Sequence, residues 1–338
     1  MKPSEVKALL LKTIAKKYPV MIKGIPGIGK TELVKQIAAE LGQDLIIMHP
    51  VIMEPPDTRG FPFIDRDTKN ASFIPFDNLK ALINASKPTI CLIDDLGTAN
   101  KNVQAALMQL VLARQISDHK VSDHVTFIAC TNDVTHNSGV SGILEALKSR
   151  FLTIIEMFAD LEDWKLWAIK NDIEPRVIGF LNLRPELLSA FKPTNSLTNT
   201  PSPRGNESVS NILKLEIEDK NLEFEAIAGA AGEGYAIEFN TFNELYEQLE
   251  SYDMIIKHPA LVAIPRENPS IIQAYCAMIA YKAKKEHMRS ILTFAERLGK
   301  EFEVKFIEYD LKTAKPEIME TKEYIEWAIN NQIIFKAA

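Results

Sequence analysis

Gly24-Ile25-Pro26-Gly27-Ile28-Gly29-Lys30-Thr31 satisfies every fixed position of the pattern G-x-x-x-x-G-K-[ST], and the rest of the chain can be placed around it. Glycines here let successive backbone N–H groups turn inward and form a nest for an anion. A helix beginning just after them adds the positive end of its dipole. The flanks have the required order. Pro19 to Lys23 reads as a short buried strand, and Thr31 to Leu41 reads as an amphipathic helix stopped by Gly42. The segment is expected to bind the phosphates of ATP, with Lys30 reaching the β and γ phosphates and the Thr31 hydroxyl on Mg²⁺. Gly24, Pro26, Gly27, Ile28, Gly29, Lys30, Thr31 and Glu32 form the expected nucleotide-binding set.

Outward from this loop the chain alternates strand and helix. Leu45 to Met48, Pro88 to Ile93, Val125 to Cys130 and Thr153 to Met157 are short, continuous apolar runs. Strands covered by helices on both faces have this appearance, so a parallel five-stranded αβα sandwich is expected over residues 1–158. Leu79 to Ala85, Asn102 to Arg114 and Ile143 to Lys148 carry helical patterns between the strands. Beyond Phe158 the strand signal fades. Glu162 to Asn171, Glu207 to Leu215, Phe242 to Leu249, Ile271 to Ala283 and Glu320 to Ile329 repeat apolar residues at helical spacing, which predicts a mainly helical second domain over 159–338. Lys192 to Asn206, rich in Pro, Ser, Thr and Asn, reads as one long loop.

Composition narrows the function classes. The 338 residues are 46% hydrophobic and 25% charged, as in a globular protein. No apolar stretch approaches the roughly 18 to 20 residues of a membrane span, and the N-terminus lacks a signal-peptide pattern, so a cytoplasmic protein without membrane insertion is expected. Cys91, Cys130 and Cys276 lie far apart in apolar segments and read as buried thiols. The net charge of −6 divides into +2 through residue 158 and −8 beyond it. The acidic second half argues against that half tracking a phosphate backbone. Lys12, Lys16 and Lys17 read either as a small basic patch or as a solvated helix face.

Thr89 to Ile93 delivers Asp94 and Asp95 at the end of an apolar strand, where open α/β sheets place their ligands. This is a Walker B pattern: Asp94 would hold Mg²⁺, and Asp95 would orient or deprotonate the attacking water.

Taken together, these motifs resemble an AAA-plus ATPase, and more narrowly the MoxR-type group with its phage and bacterial relatives. The resemblance rests on Gly24 to Thr31; Asp57-Thr-Arg-Gly60; Asp94-Asp-Leu-Gly97; and Val103-Gln-Ala-Ala-Leu-Met-Gln-Leu110. It continues through Thr131-Asn132, Gly139 to Gly142, Lys148-Ser-Arg-Phe151 and Thr200-Pro-Ser-Pro-Arg204. It implies that Asn132 is a polar sensor between the γ-phosphate and water. It further implies that Arg150 is a finger reaching a neighbouring subunit's nucleotide and that Arg204 is a second sensor on the helical lid. A strand-ending turn residue is the plainer reading of Asn132, and a surface arginine after a helix that of Arg150.

The group usually carries Glu where Asp95 stands, so slow hydrolysis is an expectation of the shorter side chain. The resemblance also implies a homo-oligomer, a hexameric ring, that remodels or activates a protein client, in some relatives a von Willebrand factor A domain protein. A nucleic-acid motor or loader on the same engine, and an ATP-controlled scaffold with little hydrolysis, remain the alternatives.

Two insertions complete the reading. Phe61 to Arg66 and Ala71 to Pro75 flank the turn-rich Asp67-Thr-Lys-Asn70, which predicts a hairpin within an insertion over about 57–76. Arg114 to His124 is expected to form a second hairpin. Phe61 and Phe63 are candidate partner contacts, with hairpin packing as the alternative. Gly229-Ala-Ala-Gly-Glu-Gly234 lacks a preceding strand and a basic residue, and reads as a turn between helices.

Overall fold

The computed structural model describes residues 1–64, 71–133, 142–193, 197–264 and 268–331. The chain divides into two compact units, Met1–Asp160 with Phe191–Leu197, and Leu161–Ala190 with Thr198–Ala338.

The first unit is built on the five apolar runs. They form strands β1 (Val20–Lys23), β2 (Asp44–Met48), β5 (Thr89–Ile93), β8 (Val125–Thr131) and β9 (Thr153–Glu156). These make one five-stranded sheet in the order β2-β5-β8-β1-β9, with every pairing parallel. Successive strand residues point to opposite faces, and here both faces are apolar. Ile22, Ile90, Leu92 and Ile128 join a core with Val6, Leu10 and Ile14 of α1 (Pro3–Ala15) and with Val34 and Ile37 of α2 (Lys30–Glu40). Met21, Cys91, Ile93 and Phe127 join the opposite core. There they meet residues of α4 (Asp77–Asn84), α5 (Lys101–Ala113) and α6 (Glu145–Lys148), which follow the short α3 (Pro55–Arg59). The αβα sandwich is therefore the one expected. Lys12, Lys16 and Lys17 lie exposed on or just after helix α1, in keeping with the solvated helix face that was one reading of them.

Both expected hairpins are present. β3 (Phe61–Ile64) pairs antiparallel with β4 (Ala71–Ile74), in register Phe61↔Ile74 and Phe63↔Ser72. The tetrapeptide 67–70 lies outside the described residues. β6 (Gln115–Ile116) pairs with β7 (His119–Lys120). The hairpins touch: the Ser117 hydroxyl donates to the Arg59 carbonyl at 3.0 Å, and a His119 ring nitrogen lies 3.2 Å from the Phe73 carbonyl. Phe61 stacks on Phe76 at 4.8 Å between ring centroids, yet it and Phe63 are both more than half exposed.

The second unit is helical. It comprises α7 (Leu161–Lys170), α8 (Pro175–Leu183), α9 (Pro203–Leu213), α10 (Lys220–Ala231), α11 (Glu233–Glu247), α12 (Tyr252–Lys257), α13 (Pro269–Lys282), α14 (Met288–Ala295), α15 (Lys300–Lys305), α16 (Lys312–Ala314) and α17 (Lys322–Asn330). The backbone widens into π-helical turns over Phe306–Leu311. Phe180 gathers Tyr235, Phe239 and Phe242 around its ring at 5.1 to 5.7 Å.

The loop expected over 192–206 ends earlier. Ser202 caps α9 by accepting from the Gly205 N–H, so Asn206 lies inside a helix. Asn206 is buried and satisfied, donating to the carbonyls of Leu187 and Ser202 and accepting from the Tyr235 hydroxyl at 2.7 Å. The glycine-rich stretch at 229–234 reduces to a single turn residue, Gly232, between α10 and α11. The three cysteines are buried and unpaired, and burial pushes each thiol well above its ordinary range. Among the described residues no helix is long and apolar enough to cross a membrane.

Candidate nucleotide-binding site

Strand β1 lies between β8 and β9, so the loop at its C-terminal end opens beside the ends of both neighbours. Gly24 is required by proximity. A Cβ there would lie 2.6 Å from the Met157 carbonyl oxygen, a backbone atom just past β9 that cannot swing aside. Gly29 is required by conformation, since it caps α2 at φ +93°, a region that L side chains rarely adopt. Replacing Gly24 by Ala is expected to weaken binding of a fluorescent ATP analogue more than tenfold and to cost about 1–3 kcal/mol in thermal unfolding, the usual penalty of forcing a methyl into a filled site.

Lys30 opens α2 and is buried. Its ammonium donates to the Gly24 carbonyl at 3.0 Å, the Ile25 carbonyl at 2.9 Å and Asn132 Oδ1 at 2.8 Å. The cation is thus fixed at the mouth of the loop. The Asn132 acceptor comes from the residue just after β8.

Thr31, one residue on, donates its hydroxyl to the Asp94 carboxylate at 2.9–3.0 Å. Asp94 is itself held at the end of β5, where its N–H donates to the Met48 carbonyl. A hydroxyl and a carboxylate side by side are the hard-oxygen donors that Mg²⁺ takes, usually alongside water and phosphate oxygens. The pair therefore fits the ion that the motif implies.

Asp95 follows with φ +52°. The left-handed region is costly for most side chains, and Asp and Asn are several-fold enriched in it. Backbone conformation thus gives a physical reason for Asp at this position. Asn132 Nδ2 points at Asp95 Oδ1 from 3.5 Å, while its Oδ1 accepts from Lys30. One amide therefore stands between the loop's cation and the second acid, and only one assignment of its O and N serves both neighbours.

Ile28 packs into the core with Val34 and Ile37, so it offers the loop its backbone rather than its side chain. Pro26 is half-buried, and Glu32 is exposed on the first turn of α2. Arg150 follows α6. Its neighbour Phe151 is anchored in the core, and its own buried Nε finds no hydrogen-bond acceptor among the described residues. Arg204 is exposed on the first turn of α9, in the second unit. Gly139 to Ser141 lie outside the described residues.

Two residues of the resembling motifs contribute beyond the roles expected from the sequence. Thr131 accepts from the Gly97 N–H at 3.2 Å and so pins the turn after Asp95. Gln104 is buried on the core face of α5, and its side chain hydrogen-bonds to backbone groups outside that helix. A polar residue on an otherwise apolar helix face was the available signal for Gln104.

Residues 19–151 match the family model described as AAA domain (dynein-related subfamily). No curated protein matches the chain. Similar solved structures include a point variant of RuvB from Thermotoga maritima, at 17% identity over 98% of this chain and 88% of that one, with a TM-score of 0.38. The Thermotoga maritima RuvB Holliday junction branch migration motor is 16% identical over 97% of this chain and 86% of that one, with a TM-score of 0.36. A second point variant of the same RuvB is 19% identical over 93% and 87%, with a TM-score of 0.40. Phosphate loop, parallel sheet order and family match agree: residues 19–151 match an AAA domain, and the chain has the AAA-plus fold with a helical C-terminal part.

Proposed function

We propose that this protein is an ATPase of the MoxR-type group that hydrolyses ATP in an oligomeric ring and uses the cycle to remodel or activate a protein client. The observation that carries the reading is the contact chain Lys30–Asn132–Asp95 beside the Thr31–Asp94 pair. It gathers a phosphate-binding cation, a water-positioning amide, a general base and metal ligands at one end of one sheet. Residues 1–158 would form the nucleotide-binding domain and 159–338 a lid carrying Arg204 as its sensor.

Water attacks the γ-phosphorus in line. Asn132 and Asp95 orient it, and Asp95 takes its proton as the bond to the β–γ bridging oxygen breaks and ADP departs. Lys30 turns from its carbonyl acceptors to the β and γ oxygens. Thr31 and Asp94 would hold Mg²⁺, which would supply charge neutralisation to the phosphates. Arg150 is offered to a neighbouring subunit's site. The β3–β4 hairpin lies between β2 and β5, where relatives carry an insertion, and it supports the narrower group assignment. A protein with a von Willebrand factor A domain is the client class proposed.

The test is Mg²⁺-dependent ATP hydrolysis per subunit over a wide range of protein concentration. Specific activity should climb with concentration as the ring assembles, and Lys30→Ala should abolish it while weakening ATP binding at least tenfold, about 1.4 kcal/mol. Turnover independent of concentration would defeat the ring. Tight ATP binding with no turnover at any concentration, unchanged by Asp95→Glu, would instead favour the scaffold.

A further inference from the structure

We propose that Gln104 is a positioning residue that sets Arg150 for its work in the neighbouring subunit. The proposal rests on the reading of Arg150 as a finger.

The side chain is fully buried on α5, at 0% exposure, and its amide is used in two directions. Toward the acid pair, Nε2 donates to the Ala99 carbonyl at 3.0 Å. Ala99 closes the turn that begins at Asp95, and Thr131 pins that turn at Gly97. Toward the finger, Nε2 donates to the Gly142 carbonyl at 3.0 Å, and Oε1 accepts from the Leu144 N–H at 3.0 Å. Lys101 Nζ grips the same Gly142 carbonyl at 2.7 Å.

Leu144 is the residue whose carbonyl opens α6, accepting from Leu147 and Lys148. The Arg150 N–H in turn donates to the Leu147 carbonyl at 3.0 Å. An unbroken run of hydrogen bonds therefore leads from the turn after Asp95, through one glutamine amide, to the backbone of Arg150. A four-residue helix such as α6 has little stability of its own, so the position of Arg150 depends on what holds its start.

Burying an amide is favourable only when its partners are met, which ties Gln104 to one geometry where an apolar side chain would tolerate several. The turn at Leu96–Thr98 is the anchor, and the segment 142–144 is what is held. Gln104 touches neither substrate nor metal ligand. Its effect on the reaction would appear in another subunit's site.

The experiment uses the full chain with Gln104→Leu, and Gln104→Met as a second apolar variant should the first melt early by circular dichroism. Turnover is expected to fall about ten- to hundredfold, the cost of a displaced catalytic group, with ATP affinity within about threefold of the original. The decisive readout is subunit mixing. Lys30→Ala subunits lack a working site but keep their finger, so a 1:1 mixture should rise to about a quarter of the intact protein's rate per subunit. Half the subunits then keep a site, and half of those meet a sound finger. Mixing with Arg150→Ala should give no rise.

No recovery with Lys30→Ala, or a loss of ATP affinity that matches the loss of turnover, would place the effect of Gln104 in its own site and overturn the proposal. A mixture of Arg150→Ala with Lys30→Ala is the control. If that pair also stays silent, the finger reading itself has failed, and the role of Gln104 fails with it.

Discussion

Arg150→Ala should lower ATP turnover by about 10³- to 10⁵-fold, the range that an arginine finger supplies in phosphoryl transfer. Affinity for ATP should stay within about threefold, since the loss would be confined to the transition state. The side chain is rooted by Phe151 in the core and by the Arg150 N–H on the Leu147 carbonyl, so truncation beyond Cβ leaves that framework intact. Removing the guanidinium also removes a buried orphaned donor, and thermal stability should hold or rise slightly. Arg150→Lys should recover little, because a point charge on a flexible stem cannot reproduce a planar fork. Single-turnover hydrolysis beside equilibrium binding of a fluorescent ATP analogue separates these terms. A parallel loss of binding and turnover would assign Arg150 to its own subunit's site.

The second large effect is on stability. Lys165 of α7 and Asp310 in the π-helical turns are only 2% and 5% exposed and lie 2.8 Å apart, with Glu162 adding a second contact at 3.3 Å. Burial alone would lower the lysine's pKa, but the charge and hydrogen bond of Asp310 outweigh it and hold the value above the ordinary 10.5. This ammonium's contribution is therefore complete below about pH 10.5 and is lost as pH rises through the raised value.

Lys165→Met strands a buried carboxylate and should cost about 3–5 kcal/mol, whereas Lys165→Met with Asp310→Leu removes both charges and should recover most of that loss. All three tryptophans, Trp164, Trp167 and Trp327, belong to the helical unit, so tryptophan fluorescence during urea unfolding reports on that unit alone. Equal losses in the single and double variants would show that the site values packing rather than pairing.

Local patterns made much of this protein legible. Five apolar runs became five parallel strands because strands covered on both faces need no alternation, and that signature lies within a few consecutive residues. The phosphate loop is contiguous, so its glycines, Lys30 and Thr31 could be read directly. The hairpin at 61–74 followed from a turn-rich tetrapeptide between two apolar pairs. Helix boundaries were harder. Ser202 looks like loop until its hydroxyl is seen capping α9, and α1 carries too few strong signals to stand out from its lysines.

The chain's own order of residues settles that there is a phosphate-binding loop, an alternating strand-and-helix half and an acidic helical half, since each is written in neighbouring residues. Three-dimensional packing alone settles that Asn132 meets Lys30 across 102 positions, that Gln104 joins the turn after Asp95 to the segment before Arg150, and that Lys165 finds Asp310 across 145. Most of these partnerships join polar groups far apart in the chain. Burial makes their pairing obligatory, and no local pattern says which partner will be there.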